Sequence, residues 1–345
     1  MSEQLDQLAA AMVARGKGIL AADESSGTIK KRFDSIGVES TEENRRDYRE
    51  MLFRTDEALS NYISGVILFD ETIRQKAADG TPLVEVIAQN GAIPGIKVDK
   101  GAKDLAGAPG EKVTEGLDGL RERLNEYREL GAKFAKWRAV IDIGREGDHR
   151  IPSPYCIRAN SHALARYAAL CQEAGIVPIV EPEVLMDGDH DIDRCFEVTE
   201  YTLRQVYADL FEQRVRLEGS VLKPNMVLSG KKCPQQAGIE EVAEKTVRCL
   251  KRSVPAAVAG SVFLSGGQSD EEATAQLSAM NALDEVLPWP LSFSYGRALQ
   301  AAPLKAWGGN NENWATAQRA FLHRARMNGL ATTGGWSEEM EREAA

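Results

Sequence analysis

The 345-residue sequence predicts an α/β protein that folds as one (β/α)8 TIM barrel, a single domain. The first observation is that eight apolar runs of strand length alternate with segments whose apolar residues recur every three to four positions. The second is length, since a barrel of eight such units takes about 250 residues or more. The third is the lack of a G-x-G-x-x-G fingerprint or a P-loop, either of which would favour an open nucleotide-binding sheet.

The strands and helices can be placed in order along the chain. A helix is predicted at 5–15, a strand at 18–23 and a polar turn at 24–27, and the sequence STEE at 40–43 has the spacing of a capping box that starts the next helix. The other strands are predicted at 64–70, 93–99, 132–141, 176–184, 215–227, 261–267 and 291–296. The other helices are predicted at 81–89, 119–130, 160–174, 192–212, 239–252, 270–280, 297–306 and 311–327. We expect residues 1–328 to form the barrel domain with its N-terminal helix, and the Gly-rich, acidic residues 329–345 to form a mobile C-terminal tail.

The composition disfavours several classes of protein. Lys and Arg total 42 against 52 Asp and Glu, a formal net charge of −10, so neither nucleic acid nor an anionic membrane surface is an expected partner. No apolar run approaches the ~20 residues of a membrane span, and the acidic Glu3 and Asp6 argue against a transit peptide. The five cysteines never form a C-x-x-C pair, which is typical of a reducing compartment. The sequence therefore predicts a cytoplasmic protein.

Charged residues occur late in many of the strand-like runs. In a (β/α)8 barrel the carboxyl ends of the strands face the active site, so a polar side chain there indicates function. Residues two apart on a strand share a face, and for any single pair a structural ion pair is the alternative explanation. The strand-end charges are Asp23, Lys97, Asp99, Lys136, Arg138, Glu181, Glu183 and Lys223. Their recurrence on strand after strand predicts one shared cluster at the mouth of the barrel.

Lys223 lies inside the apolar stretch at 217–227 and is followed at once by Pro224. On its own, this lysine could simply point into solvent beside a turn forced by the proline. Alternatively, a lysine desolvated among other cations is partly neutral and can attack a carbonyl to form a Schiff base. Two further lysines and several carboxylates are predicted nearby, and they favour the second explanation. Glu181 and Glu183 could then divide the proton-transfer and electrostatic roles between them.

The last two strands end in serine and glycine. The sequences LSGG at 264–267 and FSYGR at 293–297 leave backbone N–H groups unobstructed, and Arg297 adds a cation at the start of a helix. Tight turns need glycine for conformational reasons alone, which is the alternative explanation. Loops after the seventh and eighth strands are a common phosphate site in barrels, so the pattern predicts such a site. Its residues are Ser265, Gly266, Ser294, Gly296 and Arg297.

Neither a catalytic metal nor another cofactor is expected. Only four histidines occur, and no H-x-x-x-H pair is among them. The run DGDHD at 187–191 superficially resembles a ligand set, yet it lies between a predicted strand and a predicted helix, where acidic residues act as caps.

Ten stretches of the chain are long enough to compare with a known family. They are GKGILAADES (16–25), TEENRRDYRE (41–50), GVILFDET (65–72), GIKVDKG (95–101), FAKWR (134–138), GIVPIVEPE (175–183), DGDHD (187–191), LKPNMV (222–227), FLSGGQS (263–269) and FSYGRALQ (293–300). In this order they closely resemble the class I fructose-1,6-bisphosphate aldolases. The resemblance implies a metal-independent (β/α)8 lyase, usually a homotetramer, which reversibly cleaves fructose 1,6-bisphosphate to dihydroxyacetone phosphate and glyceraldehyde 3-phosphate.

The resemblance also implies roles for the strand-end charges. Lys223 matches the lysine that forms the Schiff base with the ketone. Glu181 matches the acid/base that forms and dehydrates the carbinolamine, and Lys136 is the neighbouring cation. Asp23 corresponds to the carboxylate that handles the hydroxyl proton during carbon–carbon cleavage, and Glu183 supports the lysine cluster.

The phosphates of the sugar would, by the same resemblance, bind at two places. Ser265, Gly266, Gly296 and Arg297 resemble the site for one end of the bisphosphate, with Ser294 beside them. The other end would contact Ser25, Lys97 and either Arg32 or Arg138. Thr28 stands where the family often has a serine near this second phosphate, and it keeps the hydroxyl.

Two segments depart from the family. Many members end in a tyrosine that assists proton exchange on the enamine, whereas this chain ends Glu343-Ala-Ala345, so the group that serves that step is open. The loop at 144–155 also differs, which could alter the rim of the site.

Two other functions are alternatives to this assignment. Another Schiff-base aldolase, such as a transaldolase-like barrel, would need only one strong phosphate site. A sugar-phosphate-binding barrel without catalysis is the non-enzymatic alternative, and the intact set of Lys223, Glu181, Lys136 and Asp23 argues against it.

Overall fold

The computed structural model describes residues 2–342, and its centre is a closed barrel of eight parallel strands in chain order. We number them β1 (Gly18–Ala22), β2 (Ile63–Leu68), β3 (Ile93–Lys97), β4 (Phe134–Ile141), β5 (Val177–Val184), β6 (Val221–Leu222), β7 (Ser261–Phe263) and β8 (Leu291–Tyr295). The last strand, β8, pairs with β1 and closes the barrel. The predicted (β/α)8 fold class is therefore confirmed, and each strand falls within or next to its predicted range.

Helices surround the barrel and connect its strands. They are α1 (Ser2–Met12), α2 (Ser26–Asp34), α3 (Glu42–Phe53), α4 (Asp56–Tyr62), α5 (Asp70–Arg74), α6 (Leu83–Gln89), α7 (Leu120–Glu129), α8 (Pro154–Glu173), α9 (Ile192–Glu212), α10 (Ile239–Ser253), α11 (Asp270–Ala282), α12 (Arg297–Trp307) and α13 (Trp314–Ala331). Two antiparallel hairpins lie in the loops after β3 and β4, Ala102–Asp104 with Lys112–Thr114 and Gly144–Glu146 with His149–Ile151. Short 3-10 turns lie at Leu217–Gly219, Asn311–Asn313 and Glu338–Glu341.

Three local predictions were wrong. The capping box does not start at Ser40, because Thr41 is the N-cap and its side chain accepts a hydrogen bond from the N–H of Asn44. The predicted polar turn at 24–27 instead leads into α2, which buries its two apolar residues, one helical turn apart, against the core. The strand predicted at 215–227 shrinks to two residues, because a 3-10 turn precedes it and Pro224 has no N–H to continue the ladder.

The amino-terminal end of the barrel interior is apolar and tightly filled. Side chains from six strands meet there with one face of α1, whose Leu5, Ala9 and Met12 cover the opening. Phe134 fills the centre so completely that a Cβ on Gly95 would overlap its ring. Glycine is therefore required at that position of β3, and burial of this layer contributes to stability. The strand residues are Ile19, Ala21, Ile67, Phe134, Val177, Ile179, Val221 and Val262.

The predicted domain boundary at residue 328 falls inside α13, which continues to Ala331. Beyond it, Glu341 accepts hydrogen bonds from Arg324 at 2.6 Å and from the indole of Trp336 at 2.9 Å. The predicted mobility of residues 329–345 stays a prediction, and its last three residues, 343–345, lie outside the described part of the chain. Within residues 2–342, no helix combines the length and apolarity that crossing a membrane requires.

Candidate active site

The strand-end charges lie on the interior side of the barrel, at the carboxyl ends of the strands. On β4, Lys136 follows Phe134 by two residues and therefore shares its inward-facing side. On β5, Glu181 and Glu183 follow the core residue Ile179 by two and four residues and share its side of the strand. The same alternation that packs the apolar end thus carries charge to the opposite end.

Four of these groups form a continuous chain of ion pairs. Lys223 Nζ lies 3.0 Å from Glu181 Oε1, and the other oxygen of Glu181 lies 3.2 Å from Lys136 Nζ. Lys136 Nζ in turn lies 2.7 Å from Asp23 Oδ2. The side chains of Lys136, Glu181 and Lys223 are each no more than 5% exposed. Lysines and carboxylates therefore alternate through a nearly dry space, and none of these four groups stands without an opposite charge.

Electrostatics fix the charge states of three members of this chain. Burial opposes ionisation of Asp23, but the positive charges of Lys136 and Lys223 outweigh it and hold its pKa well below the usual range. Burial likewise opposes the charge on Glu181, and the same two cations lower its pKa. Burial disfavours the Lys136 ammonium, yet the carboxylates of Asp23 and Glu181 raise its pKa above the usual value. At neutral pH the resting site therefore holds two carboxylates around a charged Lys136.

A second tier of charged residues surrounds this chain. Lys97 Nζ lies 3.1 Å from Asp99 Oδ1, and Asp99 is almost fully buried. Arg138 pairs with the buried Glu183, while its own side chain is 42% exposed at the rim. Burial disfavours the Arg138 charge, but Glu183 and Glu181 raise its pKa, so the guanidinium stays positive. Lys97 and Arg138 are therefore cations that border the cavity from the sides of β3 and β4.

The ends of β7 and β8 meet at a glycine turn beside a helix start. Gly266 has a φ of +54°, in the left-handed region that favours glycine. Gly296 is the N-cap of α12, and Arg297 from its first turn donates a hydrogen bond to the carbonyl of Gly266. The hydroxyl of Ser294 is buried and has no hydrogen-bond partner within the described chain. A helix N-terminus, a cation and a buried hydroxyl without a partner therefore lie together here, a combination that favours binding of an anion.

Across the cavity, the start of α2 provides a second set of polar groups. Ser25 is the N-cap of α2, and its hydroxyl lies 3.1 Å from that of Thr28. Arg32, from the same helix, pairs with the buried carboxylate of Glu24. A Cβ on Gly296 would lie 3.5 Å from Nη2 of Arg32, so this guanidinium borders both sets of polar groups.

All the residues that the sequence predicted for catalysis and substrate binding line one cavity of about 350 Å³. They are Asp23, Ser25, Thr28, Arg32, Lys97, Lys136, Arg138, Glu181, Glu183, Lys223, Ser265, Gly266, Ser294, Gly296 and Arg297. Their predicted assembly at the barrel mouth is confirmed.

Sequence reasoning missed the residues that hold Arg32. Glu24 is buried, and Gln300 Nε2 donates to its Oε1 at 2.8 Å. Arg49 is 1% exposed and donates to the main-chain carbonyl of Glu24 at 2.9 Å. No strand-end pattern marks Arg49, which lies in the polar helix α3. Only its place beside Tyr48 and Met51, both buried, could have indicated that it faces inward.

Within residues 2–342, no group of three or more His, Cys, Asp or Glu side chains is arranged to hold a metal ion. In the DGDHD run, Asp191 is the N-cap of α9 and accepts a hydrogen bond from the N–H of Arg194, so the predicted capping role is confirmed. The five cysteines are free thiols and buried.

The arrangement supports one kind of chemistry. A buried amine beside a carboxylate can exchange a proton and then attack a carbonyl carbon. Cations and hydroxyl groups on two sides of the cavity could hold a substrate that carries negative charge at both ends and orient it over that amine.

Comparisons with known proteins agree with this chemistry. The family model described as fructose-bisphosphate aldolase class-I matches residues 4–345. A probable fructose-bisphosphate aldolase class 1 of Xanthomonas campestris pv. campestris is 64% identical over 335 residues, 97% of this chain and 98% of the relative. The cytosolic fructose-bisphosphate aldolase 4 of Arabidopsis thaliana is 56% identical over 94% of this chain and 82% of its own. A solved fructose-bisphosphate aldolase of Plasmodium falciparum, in complex with TRAP and a small-molecule inhibitor, superposes with a TM-score of 0.94 at 49% identity, over 97% of this chain and 96% of that one.

Proposed function

The chain belongs to the class-I fructose-bisphosphate aldolase family, and we propose that it cleaves fructose 1,6-bisphosphate reversibly through a Schiff base on Lys223. The family predicted from the sequence motifs is confirmed, and with it the lyase class of the enzyme. One observation carries the assignment of the nucleophile. Lys223 is a buried lysine whose Nζ contacts a carboxylate, Glu181, that is itself held by a second lysine.

Formation of the Schiff base begins with a proton transfer. Glu181 takes a proton from the ammonium of Lys223, and the neutral amine attacks the ketone carbon, the second carbon of the sugar. The carbonyl oxygen takes a proton from Glu181, and the carbinolamine then loses water as the imine forms. Lys136 Nζ lies 3.2 Å from Glu181, and its positive charge favours the steps in which protonated Glu181 gives its proton to the substrate oxygen.

Cleavage breaks the bond between the third and fourth carbons. Asp23 accepts the proton of the hydroxyl on the fourth carbon, and the bonding electrons move into the protonated imine, which acts as the electron sink. Glyceraldehyde 3-phosphate leaves, and an enamine stays on Lys223. Protonation at the third carbon and hydrolysis of the imine then release dihydroxyacetone phosphate. The pair between Asp23 and Lys136, at 2.7 Å, keeps Asp23 ionised and ready to accept the proton.

The two phosphates are assigned by their distance along the sugar from the reacting carbon. The first carbon is bonded to the ketone carbon, so its phosphate must bind close to Lys223. The turn that contains Ser265 and Gly266 follows β7, the neighbour of the strand before Lys223, and it is joined by Gly296 and Arg297. The sixth carbon is four carbons away from the ketone carbon, so its phosphate binds further from Lys223. We assign it to Ser25, Thr28 and Lys97, with Arg32 or Arg138.

The physiological setting is proposed from the family and from one relative. The family resemblance supports a homotetramer, and the cytosolic relative supports a cytoplasmic location. Sugar phosphates are the proposed partners, with no cofactor, and neither nucleic acid nor a membrane is proposed as a partner.

The test compares the cleavage of fructose 1,6-bisphosphate and fructose 1-phosphate in the presence of excess chelator. We expect turnover to persist with chelator and kcat/KM to be much higher for the bisphosphate, because the site for the 6-phosphate contributes to orientation. Loss of activity that zinc restores would contradict the amine mechanism. Equal kcat/KM for the two sugars would contradict the second phosphate site.

A further inference from the structure

Lys231 lies eight residues after Lys223 in the loop that connects β6 to α10, and the steps above do not use it. Its backbone position is fixed by the neighbouring loop after β5. Its N–H donates to the carbonyl of Met186 at 2.7 Å, and the N–H of Lys232 donates to the carbonyl of Gly188 at 2.9 Å. These two bonds fix the main chain at Lys231, so the point from which its side chain leaves the loop follows from the fold.

The side chain of Lys231 extends to the turn that is assigned above to the 1-phosphate. A Cβ built on Gly267 would overlap both Nζ and Cε of Lys231, which means that the end of the lysine lies against the main chain of Gly267. Gly267 directly follows Ser265 and Gly266, the turn assigned above to the 1-phosphate. The side chain is 40% exposed and its ammonium lies 3.1 Å from Asp187 Oδ1, a carboxylate that is itself 63% exposed.

The turn therefore has a cation on each side. Arg297 donates to the carbonyl of Gly266, and Lys231 lies against Gly267. A phosphate carries a charge of about −1.5 to −2 and three strong acceptor oxygens, so it attracts an ammonium more strongly than an exposed carboxylate does. When phosphate binds at the turn, it competes with Asp187 for Lys231.

We propose that Lys231 is a further substrate-binding residue, which contacts the phosphate held at the turn of Ser265, Gly266 and Gly267. This inference rests on the proposed function, since it takes the turn as the 1-phosphate site. The proposal gives a second role to the loop that follows β6. One loop then supplies both the nucleophile and a cation for the adjacent phosphate.

The experiment measures KM and kcat for fructose 1,6-bisphosphate in the wild type and in Lys231→Ala. Because the cation is partly exposed, we expect KM to rise about twofold to fivefold at low salt, with kcat close to wild type. Added salt screens exposed charges, so the KM of Lys231→Ala should depend less on ionic strength than that of the wild type. Lys231→Arg keeps the positive charge, so its KM should stay close to that of the wild type.

Lys232→Ala is the matched control. It removes the same charge from the next residue, whose side chain lines a different pocket together with Asp189 and Asp191. Its KM should stay at the wild-type value. Equal shifts for Lys231→Ala and Lys232→Ala would show a general charge effect and overturn the proposal, as would an unchanged KM for Lys231→Ala.

Gly267→Ala provides an independent check of the geometry. Its new methyl group would displace Lys231 from the turn, so it should raise KM in the wild type and have little further effect in Lys231→Ala. Additive effects of the two substitutions would contradict the contact. Borohydride trapping with saturating dihydroxyacetone phosphate separates this proposal from the mechanism. A wild type that traps no ligand would contradict the mechanism, whereas normal trapping in Lys231→Ala with unchanged KM would contradict only the role of Lys231.

Discussion

The two ends of the barrel interior are built from the same strands and differ in almost every physical respect. At the amino end, Phe134 and its neighbours form an apolar layer that α1 covers. At the carboxyl end, Lys136 on the same strand takes part in a chain of buried charges. Two residues along β4 separate a layer that stabilises the fold from a layer that performs the proposed chemistry.

One barrel thus separates two conflicting requirements, which are stability from apolar burial and chemistry that needs buried charge. Burial of apolar area stabilises the folded state by roughly 25 cal/mol per Å². Burial of charge opposes folding unless each ion is paired, and here Glu181 bridges two lysines and Lys136 bridges two carboxylates. The stabilisation from the apolar end can therefore offset the free energy lost by burying charge at the carboxyl end, provided that the ion pairs stay complete.

The largest effect is expected at the charged end, from Glu181→Gln. Glutamine keeps the shape of the side chain but cannot take the proton from Lys223, so kcat should fall by about 10² to 10⁴-fold. Steady-state cleavage of fructose 1,6-bisphosphate measures it. Glu183→Gln is the matched control and should lose less, because Glu183 pairs with Arg138 at the rim. A greater loss for Glu183→Gln would reverse the assigned roles.

At the apolar end, Phe134→Ala should act on stability. The substitution removes a fully buried ring at the centre of the barrel, and we expect the free energy of unfolding to fall by about 3–5 kcal/mol. Denaturant unfolding measures the change, with Phe134→Leu as a graded control that should lose less. At a temperature where the variant is folded, kcat should stay close to wild type. A large loss of kcat with little loss of stability would show that the two ends are not separate.

The smallest expected effect is on the stability of the protein at low pH. The pKa of Asp23 is lowered in the folded state, so its ionised form contributes stability above its unfolded pKa of about 3.9, and this stability is lost as pH falls toward the folded pKa. Asp23→Asn should therefore flatten the dependence of unfolding free energy on pH below about 4. Asp34→Asn, which removes an exposed aspartate paired with Lys30, is the control and should change the slope less. Equal slopes for Asp23→Asn and the wild type would contradict the electrostatic account.

The sequence predicted the barrel and the charged end well because both have a local signature. Alternation of apolar and polar residues along β4 and β5 identifies the inward face, and Lys136 and Glu181 follow from it. The support of Arg32 by Glu24, Arg49 and Gln300 has no such signature, since it joins residues from three helices and loops that meet only in the fold.

Short elements were also beyond sequence patterns. The helices α4 and α5 have 7 and 5 residues, too few for a helical period to be distinguished from a loop. Lys231 lies in a polar loop, where a lysine is expected for solubility alone. Its contact with Gly267 depends on hydrogen bonds to the loop after β5, which no local pattern encodes.

The central claim is that Lys223, and not the equally buried Lys136, forms the Schiff base. The most direct measurement is borohydride reduction in the presence of dihydroxyacetone phosphate, followed by peptide mapping by mass spectrometry. We predict one covalent adduct, on Lys223, that is absent from Lys223→Met. An adduct on Lys136 or another lysine, or no adduct in a wild type that cleaves the sugar, would contradict the account.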